Sequence, residues 1–402
     1  MKLTRRQILR GSGVLATGFL LAGCSARSAA LGSGWPAWLR RLLGMEEGAS
    51  SAASSGAASS AASSSAASSA PALPPYLADP LTGEARSADT RIVGIMVNNI
   101  SNSTRQNARP QRGLSDAGML IESRVEGNIS RFCALYSNVD AIPEVGPIRS
   151  GRDQFLQLLM PWQGLYYHDG ESIFCTQYIK QWNYWDLNIG GKSYFSTPTH
   201  PHVAHRDSRG GVVAYEHTEF TSGPEIRQAA ENAGIGLNYA YDATFFPFTD
   251  YRKGEINPMT DCPEAENILV YHSANYQSKF AYDRSDRVYT MQMYSARTKT
   301  FEAAVDELNG QQLAFANLLV CFAPIAAYPG DSADVQCVEY AGGGAAWYFT
   351  RGRVLACQWQ KPAPDQPLTV WNGADQVVFN RGKTYLAVVD VDALDHFDYG
   401  SV

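Results

Sequence analysis

Short apolar runs of strand length alternate with helical patterns over the first half of the folded region. "RIVGIMVNNI" (91–100), "GMLIESRVEG" (118–127), "RFCALYSN" (131–138) and "LYYHDG" (165–170) are apolar or β-branched and end in polar or glycine breaks, so each predicts a strand. Between the last two, "DQFLQLLMPW" sets Phe155, Leu158 and Leu159 at helical spacing, and further helices are predicted within 172–185 and 223–234. After Gly236 the texture changes. "NILVYHS", "KFAYDRSDRVYTMQMY", "QQLAFANLLVCFAPI", "AWYFTRGRVLACQWQ" and "LTVWNGADQVVFNRGKTYLAVVD" read as strands and tight turns, with hairpin signals at Asn372-Gly373 and Gly382-Lys383 and one helix around 300–308. The pattern predicts an α+β protein: a mixed α/β N-terminal domain over 77–236, then a mainly β C-terminal domain over 237–395.

The N-terminus is patterned differently. "TRRQILRG" followed by "VLATGFLLAGC" gives a basic segment, a short apolar segment and a small-small-Cys ending, an export signal over residues 1–24 rather than a membrane span. An apolar stretch of about ten residues is too short to cross a hydrocarbon core of about 30 Å. Arg5 and Arg6 resemble a twin-arginine signal, and Leu21-Ala22-Gly23-Cys24 resembles a lipobox, which makes Cys24 the expected lipidation site and the membrane the expected partner; an ordinary secretory signal with an incidental cysteine is the alternative. Residues 25–76 read as a tether. Within it 34–48 is either a short interfacial helix or an incidental apolar segment, and 49–70 contains only Ala, Ser and one Gly, with nothing to pack a core.

Charge and cysteine content narrow the classes. Without residues 1–24 the chain carries 29 basic and 39 acidic residues, which argues against a nucleic-acid or general anionic-membrane binder, so any anion site must be local. The six cysteines after Cys24 include no C-x-x-C pair, and buried free thiols are expected.

The local chemistry concentrates at "EVGPIRSGRD" (144–153). Ser150 and Asp153 fit a capping box at a helix start. Arg149 and Arg152 sit where a cation is unfavourable beside a helix N-terminus unless an anion answers it. That anion is either internal, from Glu122 and Glu126 on one strand face, or a ligand phosphate or carboxylate held by guanidinium forks. Asn98, Asn99, Arg109, Arg131, His168 and Asp169 join the candidate ligand-binding set, since "VNN" and "YHDG" end strands that share one crevice if they run parallel. His168 is a possible general base or a hydrogen-bonded structural residue. His200, His202 and His205 with Asp207 have a weak metal-ligand spacing, and a surface loop is the plainer reading, so neither metal nor cofactor is assigned. No nucleophile elbow, P-loop, H-E-x-x-H or Rossmann glycine pattern occurs in a supporting context.

"MVNNI…ARPQRGLSDAGMLIESRVEGNISRFCALYS…EVGPIRSGRDQFLQL", "HRDSR…EHTEFTS", "KFAYDRSDRVY" and "GGGAAWYFTRGRV…NRGKTYLAVV" together resemble the YerB-like lipoprotein family, whose two parts are the DUF3048 N- and C-terminal domains. The resemblance spans roughly residues 77–392. It implies a bacterial, extracytoplasmic, lipid-anchored protein and no particular activity. Against the family pattern, "GPVRSAR" is "GPIRSGRD" here, and Pro-His-Asn is Glu216-His217-Thr218. Three readings remain: an envelope lipoprotein binding an anionic cell-wall ligand or a partner protein through an arginine-rich face; an enzyme acting on cell-wall glycopolymers or phosphodiester links; and an assembly factor for envelope proteins.

Overall fold

The computed structural model describes residues 77–184, 186–188 and 203–400. The export signal with Cys24, the tether, and His200 and His202 lie outside the described residues.

Apolar alternation in the first half gives β1 (Val93–Asn98), β2 (Met119–Arg124), β3 (Ser130–Tyr136) and β4 (Leu165–His168), followed by β5 (Asp186–Asn188), β6 (His205–Arg206) and β7 (Glu219–Phe220). Three helices accompany them: α1 (Asp153–Leu159), α2 (Ile173–Gln181) and α3 (Gly223–Ala233). The second half supplies β8 (Asn267–Ser273), β9 (Tyr276–Asp283), β10 (Val288–Ser295), β11 (Thr300–Ala303), β12 (Ala314–Phe315), β13 (Asn317–Ala323), β14 (Ile325–Ala327) and β15 (Gln336–Val338). It closes with β16 (Gly344–Thr350), β17 (Arg353–Gln360), β18 (Thr369–Asn372), β19 (Asp375–Gln376), β20 (Thr384–Asp390) and β21 (Asp398–Gly400). The protein is α+β, with a mainly β C-terminal region.

One eleven-stranded sheet runs β19-β18-β17-β16-β13-β20-β2-β3-β1-β4-β5 and takes strands from both sides of residue 236. β20 lies at its centre, parallel to β2 on one side and β13 on the other. β1 is antiparallel to β3 and parallel to β4. On one face Met96, Ile121, Cys133, Leu135 and Tyr166 pack against Phe155, Leu156 and Leu159 of α1. Gly94 lets that helix approach, since a Cβ there would lie 2.9 Å from Leu159. The other face meets the second sheet, β11-β10-β9-β8-β21 with β12 on β10, where Phe280 packs 4.7 Å from the Tyr385 ring.

Two turn and helix expectations change. Residues 300–303 pair with β10, Ala303 opposite Gln292, and no helix forms there. The buried Asp306 carboxylate instead accepts the amides of Gly113, Ser115 and Leu308 at 3.1, 2.9 and 3.0 Å, fixing a turn against the first half of the chain. Asn372-Gly373 does turn a hairpin, β18 into β19, whereas Gly382-Lys383 leads β20 away from β19 into the sheet centre. None of the six described cysteines is in a disulfide, and Cys133, Cys175, Cys321 and Cys357 are buried.

Candidate functional site

The parallel pairing of β1 and β4 brings their carboxyl ends together, and residues 147–151 thread between them. Asn98 N–H donates to the Pro147 carbonyl (2.9 Å), Arg149 N–H to Met96 (3.0 Å), Gly151 N–H to Gly170 (2.8 Å) and Asp169 N–H to Arg149 (3.2 Å). On the far side Ile148 N–H donates to the Glu219 carbonyl (2.8 Å). Gly151 makes the passage possible, because a Cβ there would sit 2.9 Å from the Tyr166 ring and 3.1 Å from His168. β3 begins opposite, with Arg131 in register with Asn98.

Three guanidiniums therefore gather at one strand-end crevice. Arg152 pairs with Glu126, its Nε 2.8 Å from Oε1. Arg131 is 5 % exposed, donates from Nη1 to the Ser150 carbonyl (2.8 Å), and its buried Nε meets no acceptor. Among the described residues no acceptor meets the half-buried Arg149 guanidinium, and its Nε is also buried without a partner. Burial, then the charge of Arg152, lowers Arg131 well below the usual guanidinium range, with Arg149 acting in the same direction. Burial likewise lowers Arg149, although Glu216 and Asp169 pull it upward. Of the three only Arg152 is paired with a carboxylate among the described residues, while the charges of Glu216, Asp169 and Glu126 also act on Arg149.

Two further acids lie close by, Asp169 just after β4 and Glu219 in β7. Glu219 is 1 % exposed and receives Arg206 Nη2 at 3.0 Å. Burial, reinforced by Asp169, pushes Glu219 above the usual carboxylate range, against the pull of Arg206 and Arg149. Nearby, the Asn98 amide donates to His217 Nδ1 (2.9 Å) and His217 Nε2 reaches Gln106 Oε1 (2.9 Å), so the ring is the neutral Nε2–H tautomer. Burial and then Arg149 lower His217 to about 4.

The ten residues grouped from sequence are not one cluster. Arg131, Arg149, Arg152, Glu126 and Asp169 line the crevice, and Asn98 borders it through His217. Asn99, Arg109 and Glu122 lie on the opposite sheet face in a closed network. Asn99 Oδ1 accepts Arg109 Nε (2.9 Å), Asn99 Nδ2 donates to Glu122 (3.2 Å), and Glu122 also accepts Ser130, Ser278 and Tyr385 hydroxyls at 2.6, 2.8 and 2.6 Å. Glu122 and Glu126 do not share a strand face, because β2 ends at Arg124 and Glu126 sits in a 3-10 turn at 126–128. His168 is fully buried behind Gly151, its Nδ1 2.8 Å from the Gly170 carbonyl and Nε2 3.7 Å from Glu171. His205 is held between Glu144 (2.8 Å) and Glu225 (2.9 Å).

The capping box does not form. Residue 151 is still extended against residue 171, the helix starts at Asp153 with Arg152 as its cap residue, and no side chain caps it. Asp153 points instead into the core, accepting the Tyr328 hydroxyl (2.7 Å), and burial raises it to about 6. A raised carboxyl binds its proton more tightly when folded, so its ionisation costs stability as pH rises from about 4 to 6, by about 3 kcal/mol. Asp153→Asn should therefore gain stability relative to wild type between pH 4 and pH 8, measured as the change in urea-unfolding free-energy difference at the two values; a constant difference would contradict this. Sequence reasoning did not single out Glu219, Arg206 or His217 as chemistry, although all three lie in the "HRDSR…EHTEFTS" blocks.

A mixed sheet whose two halves are stitched by β20, with three arginines gathered at the ends of parallel strands, defines a two-segment α+β protein. Residues 81–236 match the N-terminal domain, and residues 268–386 the C-terminal domain, of "Protein of unknown function (DUF3048)". The chain belongs to this DUF3048 family. It is 26% identical over 328 residues to YerB of Bacillus subtilis (strain 168), a lipoprotein by name, covering 79% of this chain and 88% of that one. A crystal structure of the Bacillus subtilis YerB protein superposes with a TM-score of 0.65 at 23% identity, covering 81% of this chain and all of that chain, which supports the fold.

Proposed function

We propose that this chain is a lipid-anchored protein of the extracytoplasmic membrane face that binds a phosphate-bearing envelope ligand at Arg149. The supporting observation is the Arg149 guanidinium, half-buried, flanked by Arg131 and Arg152, and met by no acceptor among the described residues. Planar guanidinium forks match phosphate oxygens, and partial desolvation strengthens such contacts. Membrane attachment through Cys24 agrees with the lipoprotein name of the relative.

The test is titration of the purified full chain with glycerol phosphate oligomers. Arg149→Gln should weaken binding by about tenfold to a hundredfold, the equivalent of one charge-assisted hydrogen-bonded contact, while leaving unfolding stability equal to or slightly above wild type. Unchanged affinity in Arg149→Gln would remove this reading.

A further inference from the structure

We propose that the cavity between the β8–β9 hairpin, the 3-10 turn at 126–128 and the segment after β20 binds a neutral saccharide unit bearing an acetamido group, an inference that goes beyond the anion-binding reading and uses none of its residues. The cavity holds about 510 Å³, within the range of about 300–1,000 Å³ that small-molecule sites occupy. Both matched segments build it: Arg124 and Asn128 come from the first, Tyr271 and Asn275 from the second, and Asp390 and His396 follow at and beyond the end of β20. The Ser273 hydroxyl donates to the Asn128 carbonyl (2.7 Å) and ties the hairpin to the turn.

Charge decides the class of ligand. Arg124 Nη2 donates to the Ile325 carbonyl (2.9 Å), the Gln336 side chain (3.3 Å) and Asp390 Oδ2 (2.7 Å), so a carboxylate of the lining itself neutralises the guanidinium. Asp392 adds a second carboxylate, and among the described residues no other lysine or arginine lines the cavity, which leaves no positive excess for a phosphate. The remaining polar groups suit hydroxyls. Asn128 and Asn275 are exposed and their side chains meet no partner among the described residues, while Asn102 spends its Oδ1 on the Tyr276 hydroxyl (2.9 Å) and keeps its amide N–H groups. Side-chain amides both donate and accept, and so do sugar hydroxyls. The Tyr271 and His396 rings stack with centroids 4.3 Å apart at 22°, a flat surface for the C–H face of a pyranose. The acetamido group follows from Arg124. Its side chain keeps 19 % exposure, and its Nη1 meets no acceptor among the described residues, so an amide carbonyl satisfies it without adding charge. Ile129 and Ala393 supply apolar lining for the acetamido methyl group.

The experiment is calorimetric titration of the full chain with tetra-N-acetylchitotetraose, with maltotetraose as the saccharide lacking acetamido groups and inorganic phosphate as the competing anion. The acetylated tetramer should bind saturably, maltotetraose at least tenfold more weakly, and phosphate should not displace the tetramer. Asn275→Ala and His396→Ala should each weaken the tetramer by about threefold to tenfold, the loss of one neutral contact, and Arg149→Gln should leave it unchanged. Asn275 is exposed and its side chain bonds to no other described residue, so that variant carries the test if His396→Ala fails to fold. A tetramer that binds more tightly than N-acetylglucosamine marks a glycan strand as the source, equal affinity marks a free sugar, and both uphold the site. Absence of saturable binding to wild type, equal affinity for maltotetraose, or affinity untouched by Asn275→Ala overturns the proposal. Binding of the tetramer that disappears in Arg149→Gln places it in the arginine crevice and overturns the cavity assignment, whereas loss of phosphate binding in Arg149→Gln with tetramer binding intact bears on the anion-binding reading alone.

Discussion

Glu122→Ala is expected to destabilise the chain by about 3–5 kcal/mol, the cost of stripping the acceptor from a buried polar network. The carboxylate is 1 % exposed and accepts from Asn99 just after β1, Ser130 of β3, Ser278 of the second sheet and Tyr385 of β20. His272 Nε2 lies 3.5 Å away. Removing the carboxylate leaves those buried donors without their acceptor. The network also sets a pH signature. Burial alone would raise Glu122, but the charge and hydrogen bond of His272, with Ser130 and Tyr385, outweigh it and hold the group at about 2. A depressed carboxyl contributes stability that is present above its unfolded pKa and is lost as pH falls through the folded one, here between about 4.5 and 2. Chemical denaturation across this window should show a steep acid limb in wild type and a flatter one in Glu122→Ala. Equal limbs, or a loss under about 1 kcal/mol at neutral pH, would show that the network is not what holds the two sheets together.

Arg152→Gln is the second large effect, about 2–4 kcal/mol of destabilisation. The substitution leaves Glu126, whose side chain is 21 % exposed, without its guanidinium. Relief of the repulsion that Arg152 exerts on buried Arg131 works the other way and keeps the cost below that of a fully enclosed pair. Adding Glu126→Gln should recover part of the loss, giving a positive coupling in a double-mutant cycle read by urea unfolding. Arg149→Gln, three residues earlier, should show no such loss. Strict additivity of the Arg152 and Glu126 substitutions would contradict the pairing.

The contrast between these two arginines marks how far the sequence could be read. β1 to β4 and the three helices follow from apolar spacing, and the parallel run of β1 and β4 places "VNN" and "YHDG" at neighbouring strand ends as their pattern suggested. Arginine pairing was open between an internal and an external anion; Arg152 meets the internal Glu126, and no acceptor meets the Arg149 guanidinium among the described residues. Strand periodicity misled at Glu126, because the alternation that puts residues 122, 124 and 126 on one face holds only while the strand continues, and it stops at Arg124. The capping box failed for a related reason. Bonding of Gly151 to Gly170 keeps the chain extended past Ser150, a tertiary constraint no local spacing encodes. Glu219 reaches this segment from seventy residues further along the chain, where Ile148 N–H donates to its carbonyl, so its place there is visible only once β7 is set beside residue 148.

The position of β20 bears on how the protein is made. Residues 384–390 fill the gap between β2 and β13, so neither matched segment owns a complete central sheet. A nascent chain that has passed residue 350 has made every other wide strand of that sheet's middle and still has two open backbone edges facing each other. Such edges recruit foreign strands. A ribosome that stalls, or a protease that nicks the chain after Asn380, would thus release a product marked as unfinished by the adhesive slot it exposes, and closing that slot comes late in synthesis rather than early.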